Sequence, residues 1–334
     1  MQREILIISN AMTETYDDGL VKLYAKTAEE LKKKWPGSRM VSIGANCPVA
    51  DVCFCSFFDR RFWSILKDRK YKSVLLMPRN ARSALIWLVC AFLRLFFRKQ
   101  VGMVIAFQSV KKMPVAARLI HPDLFIGSRD LVWAYRRYRG KIEKLEASVD
   151  LQQFTPVSDE RKLALRKKYG LPPDRKILLH VGHAIAERGL SWMLKVPEDM
   201  LALFVKSTFQ HPREDEGLKK QLEARGNVVI LERYFSKIEE LFQLSDCYVF
   251  TVQENGAINM PLSVFEAMAC NLPVVAARFG ELEWLEEGEG LKFVSGKDDA
   301  QTIAAAQALM QEGQCRNRQK AERYGWDKLA EKFQ

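Results

Sequence analysis

Short apolar runs that alternate with longer helix-length segments predict an α/β protein built of two doubly wound, parallel-sheet domains. Two further observations support that class. A chain of 334 residues has room for two domains of roughly 100 to 200 residues each, and the alternation restarts after a break near residue 150. The first series reads as a strand over Ile5 to Ser9, a helix over Gly19 to Lys34, and strands over Arg39 to Ile43, Val74 to Met77 and Val101 to Phe107. The second reads as strands over Lys176 to Val181, Met200 to Val205, Val228 to Leu231, Cys247 to Thr251 and Val274 to Ala276. Between them, Val149 to Asp159 breaks the periodicity at Phe154, Thr155, Pro156, Val157 and Ser158 and reads as a linker ahead of a helix over Glu160 to Tyr169. Domains over 1–150 and 155–320 follow. Ligands of open parallel sheets bind beyond the carboxyl ends of the strands, so two such sheets facing across a cleft hold one substrate each.

Several classes are excluded. The longest apolar run, Ala84 to Leu93, stops at Arg94, well short of the roughly 20 residues of a membrane-spanning helix. The N-terminus carries Glu4 and only a brief apolar stretch, which reads as a first strand and not as a leader. Seven cysteines on irregular spacings are expected to be free thiols in a reducing cytoplasm. Cys53 and Cys55 have no His or Cys partner at metal spacing nearby, and no metal site is assigned. The segment Ala81 to Arg98 is apolar on nearly every face and is expected to pack as a core helix against a sheet, in preference to the alternative of an interfacial helix, which keeps a polar face; its basic end complements the helix dipole and could still meet headgroups.

The net charge of +11 is unevenly distributed. Residues 1–150 hold 27 Lys and Arg against 14 Asp and Glu, whereas the remainder holds 25 against 27. The excess clusters at Arg60, Arg61, Lys67, Arg69, Lys70 and Lys72, and again from Arg129 to Lys144, interleaved with Phe57, Phe58, Phe62, Trp63, Trp133, Tyr135 and Tyr138. Basic and aromatic residues together suit an anionic surface. Nucleic acid is disfavoured, because the chain lacks zinc-finger spacing, a ribonucleoprotein signature and a helix-turn-helix pattern. An anionic membrane face suits the same composition, and the expected placement is peripheral, on the cytoplasmic side.

Two segments carry the chemistry. After the strand ending at Val181, the run Gly182 to Leu190 is a glycine turn in which Gly182 permits close backbone approach and Arg188 can fork onto phosphate oxygens. His183 joins it as a titratable cation whose pKa a bound diphosphate raises. In the second segment, strand Tyr248 to Thr251 leads through a loop to Pro261, Leu262 and Ser263, the start of a helix whose free amides can receive a phosphate. Glu266 lies on that helix among apolar and small residues, where holding two ribose hydroxyls would account for a carboxylate.

Pro261 five positions before Glu266, followed by the run Glu266 to Val275, resembles the signature of glycosyltransferase family 4. The Gly182 to Leu190 turn, the linker Val149 to Pro156 and the terminal Tyr324 to Ala330 are similar to further motifs of that family. The resemblance implies a GT-B fold with the donor on the second domain, a last helix over about 321–334 that packs back on the first, and transfer of a sugar from a UDP- or GDP-sugar with retention and without an obligatory metal cofactor. By position, Arg188 matches the diphosphate-binding lysine of the family, His183 its arginine, Glu266 the ribose carboxylate and Gly19 the first-domain glycine near the phosphates. Tyr234 and Phe235 fall where the base is held. Three departures stand out. Ile258 replaces a sugar-contacting glutamate, leaving Glu254 or Asn255 to reach the sugar by another path. Gln108 replaces a histidine on the acceptor side, and His183 replaces a permanent cation. The expected acceptor is a lipid-linked or cell-surface glycan. The alternatives are a non-catalytic relative that binds nucleotide sugar or serves as a partner subunit, and a nucleotide-sugar epimerase.

Overall fold

The computed structural model describes residues 4–14, 19–106, 120–127, 131–208, 213–252 and 261–333. The chain divides into two compact units, one of Met1–Glu146 with Trp326–Gln334, the other of Ala147–Gly325. The expected boundary near 150 thus falls at 146/147, and of the terminal segment 321–334 the part up to Gly325 lies in the second unit.

The first unit holds strands β1 (Ile5–Ser9), β2 (Arg39–Ile43), β3 (Val52–Phe54), β4 (Ser73–Met77), β5 (Gln100–Ile105), β6 (Asp123–Ile126) and β7 (Ile142–Lys144). They form one parallel sheet in the order β3-β2-β1-β4-β5-β6-β7. β1 is buried along its whole length, as a central parallel strand covered on both faces must be, which is why it is an unbroken apolar run. Helix α1 (Gly19–Lys34) buries Leu23, Ala28 and Leu31, and its Tyr24 hydroxyl donates to the Pro78 carbonyl at 3.0 Å. Helix α2 (Arg60–Lys67) is capped by Asp59, whose carboxylate accepts from the Arg61 amide at 2.8 Å. Helix α3 (Ala84–Phe97) departs from expectation: only Trp87, Cys90 and Leu93 are buried, and much of its apolar surface is exposed. Helix α4 (Leu131–Arg137) completes the unit, and the terminal residues join it through Phe333, whose ring stacks on Phe125 at 4.2 Å.

The second unit opens with the segment read as a linker, which is a fixed turn. The Asp150 carboxylate accepts from the amides of Gln152 and Gln153, Phe154 is fully buried, and Arg318 donates to the carbonyls of Leu151 and Ala269, both at 2.8 Å, and to that of Phe154. Strands β8 (Lys176–Gly182), β9 (Met200–Lys206), β10 (Val228–Glu232), β11 (Cys247–Phe250), β12 (Val274–Ala277) and β13 (Leu291–Val294) make a parallel sheet in the order β10-β9-β8-β11-β12-β13. Helices α5 (Asp159–Lys168), α6 (Glu216–Glu223), α7 (Glu239–Gln243), α8 (Leu262–Ala269) and α9 (Asp299–Glu312) connect or cover these strands. After β8 the chain makes two tight 3₁₀ segments, Ala186–Arg188 and Leu190–Lys195, separated by left-handed Gly189. Strand order reverses between β8 and β11, so their carboxyl ends form the topological switch point of this unit.

Candidate functional site

At the switch point, the turn after β8 is locked onto the end of β11. Gly189 has a φ of 62°, and a Cβ there would lie 2.5 Å from the carbonyl oxygen of Thr251. Only glycine tolerates both the dihedral and the approach. The Thr251 hydroxyl donates to the Gly189 carbonyl at 2.7 Å. Gly296, beyond β13, is also left-handed at φ 72°, and a Cβ on it would come within 3.0 Å of the same Thr251 carbonyl oxygen.

This turn carries Arg188. Its side chain is half-buried, and its Nε meets no acceptor among the described residues. Burial pulls its pKa down to about 10, against the raising influence of Tyr248 and Glu187, so the guanidinium remains cationic at neutral pH. Glu187 itself pairs with Arg213. A desolvated guanidinium with an unmet donor carries a free-energy cost that an anionic ligand relieves. A Cβ at Gly182 would lie 3.2 Å from His180 Nε2 and 3.9 Å from Arg188 Cζ, so imidazole and guanidinium close over a position that has no side chain. His183 follows at the next position, also half-buried.

His180 is fully buried on β8, with its Nδ1 2.8 Å from the Val249 carbonyl. A carbonyl only accepts, so Nδ1 carries the proton and Nε2 presents a lone pair. Burial pushes the pKa of this ring down to about 3, the Val249 bond opposing that shift and nearby Arg188 adding to it. The imidazole is therefore neutral, and Nε2 meets no partner among the described residues. The ring stacks parallel to Tyr248 at 6.3 Å and to Phe250 at 6.1 Å, which ties β8 to β11 on one face of the sheet.

Pro261 stands at the N-cap of α8, with the Val264 amide donating to its carbonyl at 3.0 Å. The opening amides of a helix have no intrahelical acceptor, and with the dipole they favour an anion. Ser263, in the first turn, accepts a hydrogen bond from the Tyr248 hydroxyl at 2.7 Å. One turn further, Glu266 is only 5% exposed. Tyr248 has its pKa raised by burial foremost and then by Glu266, while the Ser263 bond and Arg188 oppose the shift. The same phenol thus lies within the electrostatic reach of both Glu266 and Arg188, with Ser263 in contact.

Along the carboxyl edge, Gly182 pairs with Lys206, and Lys206 with Glu232. Lys206 is 2% exposed and is neutralised by Glu232 at 2.6 Å and Glu214 at 3.1 Å. Tyr234 and Phe235 follow β10, two strands from β8. Tyr234 is exposed, while Phe235 sits 4.8 Å from the Arg233 guanidinium and 6.1 Å from the Tyr169 ring. Gly19 belongs to the first unit, where it is exposed at the start of α1. Gln108, Glu254, Asn255 and Ile258 lie outside the described residues. The structure therefore collects Gly182, His183 and Arg188 on one turn, and Ser263 and Glu266 on α8, with Ser263 bonded to Tyr248. Sequence reading overlooked His180, Tyr248 and Thr251. The first two were signalled by polar-tipped rings in largely apolar strands, whereas the Thr251–Gly189 lock had no local signature.

The family model described as "Glycosyl transferases group 1" matches residues 175–312. A D-inositol 3-phosphate glycosyltransferase of Xylanimonas cellulosilytica is 29% identical over 224 residues, which is 61% of this chain and 52% of the relative. The chain spans about half the length of the curated relatives it matches. Among solved structures, Anabaena HepE in complex with UDP and glucose superposes with a TM-score of 0.75 at 14% identity, covering 99% of this chain and 98% of that one. WaaG, described as a glycosyltransferase involved in lipopolysaccharide biosynthesis, superposes with a TM-score of 0.69 at 14% identity, covering 98% of each chain. The protein has the two-unit GT-B fold, and its residues 175–312 resemble the glycosyl transferases group 1 family.

Proposed function

We propose that the chain is a glycosyltransferase that moves a sugar from a nucleotide-sugar donor to a lipid-linked or cell-surface glycan acceptor at the cytoplasmic face of a membrane, with retention of anomeric configuration. The observation that carries this reading is the half-buried Arg188 guanidinium at the switch point, with an unmet Nε donor, on a turn locked to β11 beside the α8 helix. In the proposed reaction an acceptor hydroxyl attacks the anomeric carbon, the bond from that carbon to the diphosphate oxygen breaks, and the hydroxyl proton passes to the departing phosphate. Negative charge grows on the nucleoside diphosphate. Arg188, His183 and the amides of Leu262 and Ser263 stabilise that charge electrostatically, and Glu266 holds the ribose hydroxyls.

The donor class is supported by HepE, which was solved with UDP and glucose and also with UDP-glucose. The acceptor class is supported by WaaG, described as acting in lipopolysaccharide biosynthesis, and by the basic, aromatic first unit. The test is incubation of the purified chain with labelled UDP- and GDP-sugars and a membrane lipid extract. Label passing into the lipid phase together with nucleoside diphosphate release is the expected result. Donor binding without transfer would instead identify a non-catalytic nucleotide-sugar binder, the reading that Ile258 at the glutamate position favours.

A further inference from the structure

Helix α3 was expected to disappear into the core, yet its exposed apolar residues form a stripe. Leu85, Leu88, Phe92, Leu95 and Phe96 recur at three-, four- and one-residue intervals, which at 100° per residue confines them to an arc of about 100°. Leu95 and Phe96 are 75% and 72% exposed. The opposite face buries Trp87, Cys90 and Leu93, so the helix is anchored in the first unit and turns the stripe outward. Trp63 of α2 packs against it, 5.8 Å from Phe92 and 6.3 Å from Phe97. Arg60 and Lys67, three residues before and four after Trp63, share its flank of α2 and are exposed. Arg82 and Arg98 bracket the helix and are exposed too, and α3 itself contains no acidic residue.

We infer that this face of the first unit is a monotopic membrane-docking surface, with the α3 stripe lying in the plane of an anionic leaflet and the flanking arginines and lysine meeting its headgroups. At 14 residues, the helix is about 21 Å long, and no helix among the described residues is long and apolar enough to cross a bilayer. An apolar arc bordered by cations and free of acidic residues is the pattern of interfacial helices, whose binding combines buried apolar area with attraction to anionic lipid. The occupant is chosen by charge complementarity: a patch meant for a neutral apolar partner has no use for four surrounding cations. The inference rests on the membrane placement of the proposed function and gives it a surface, and it does not depend on sugar transfer, because docking requires no donor.

The experiment is flotation of the purified full chain with phosphatidylcholine vesicles, with and without phosphatidylglycerol, at low and high salt. The chain is expected to partition onto phosphatidylglycerol vesicles and less so in high salt. A combined Leu88→Ser, Leu95→Ser and Phe96→Ser variant should lose at least tenfold in partitioning while keeping its circular dichroism spectrum, since all three residues are exposed. Arg60→Glu with Lys67→Glu should lose at least tenfold on phosphatidylglycerol vesicles, at about fivefold per basic residue removed. Trp284→Ser, an exposed residue of the second unit, should leave partitioning unchanged. Equal flotation of the wild type and the triple-serine variant would overturn the inference. So would a vesicle-free dimer that the triple-serine variant dissolves, which would assign the stripe to a second copy of the chain.

Discussion

Replacing Gly189 by alanine tests whether the turn that carries Arg188 is held in place by the end of β11. The residue sits at φ 62°, and a Cβ would lie 2.5 Å from the Thr251 carbonyl oxygen. The left-handed conformation costs a non-glycine residue about 1–2 kcal/mol. The contact is with backbone, so no rotamer change relieves it, and separating the two turns breaks the 2.7 Å bond from Thr251 to the Gly189 carbonyl, a loss of about 1 kcal/mol. The expected cost is therefore about 2–3 kcal/mol. Gly313→Ala is the matched control, because Gly313 is left-handed at φ 65° with nothing within 4 Å of its virtual Cβ, and it should cost only the dihedral term. Urea unfolding gives both values, and donor binding should weaken for Gly189→Ala alone. Equal destabilisation by the two substitutions, with donor binding intact in both, would refute the locked turn.

Other expectations follow from the same geometry. The Asp246 carboxylate accepts from Lys162 at 2.8 Å, Arg166 at 2.5 Å and the Ile177 amide at 2.7 Å, and Arg166 is buried. Asp246→Ala would leave that guanidinium without its counter-charge, bonded only to the carbonyls of Leu244, Pro173 and Arg175, and should cost about 3 kcal/mol in chemical denaturation. Burial alone would raise the pKa of Asp246, but Lys162, the Ile177 amide and Arg166 outweigh it and hold the group below its ordinary range. Its stabilising contribution is thus present above the unfolded carboxyl pKa of about 3.9 and lost as pH falls through the lower folded value, so an acid titration of stability should be shallower in Asp246→Asn. Tyr248→Phe keeps the ring stack and removes the hydroxyl bonded to Ser263. It should cost about 1 kcal/mol of stability and weaken donor binding measured by calorimetry, and unchanged binding would remove Tyr248 from the site.

The two sheets were legible in the sequence because central parallel strands are continuous apolar runs, as in Ile5–Ser9 and Met200–Lys206. The short strands β3 and β7, of three residues each, carry too little pattern to stand out from loops. Helix α3 misled because composition records apolarity without direction: Leu88 and Leu93 look alike in sequence, and one faces solvent while the other is buried. In the site, Gly182, Arg188 and Glu266 could be read because glycine beside a cation, and a carboxylate among small apolar residues, are locally odd. The Thr251 lock and the neutrality of the His180 ring were illegible, since both depend on contacts more than 60 residues apart in sequence. The linker was read as a break because Pro156 and Ser158 interrupt periodicity, whereas its order comes from Arg318, far along the chain.

The central claim is a nucleotide-sugar site built on Arg188 and Glu266. Its most direct test is thermal-shift binding of the wild type, Arg188→Ala and Glu266→Ala against a panel of uridine, guanosine and adenosine diphosphate sugars. A donor present at a hundredfold excess over its Kd stabilises by about 2.7 kcal/mol, a rise of roughly 5–10 °C for a unit of this size. One nucleotide sugar should raise the wild-type midpoint by that amount, and neither variant should respond. A full response in both variants, or none from any nucleotide sugar in the wild type, would contradict the assignment.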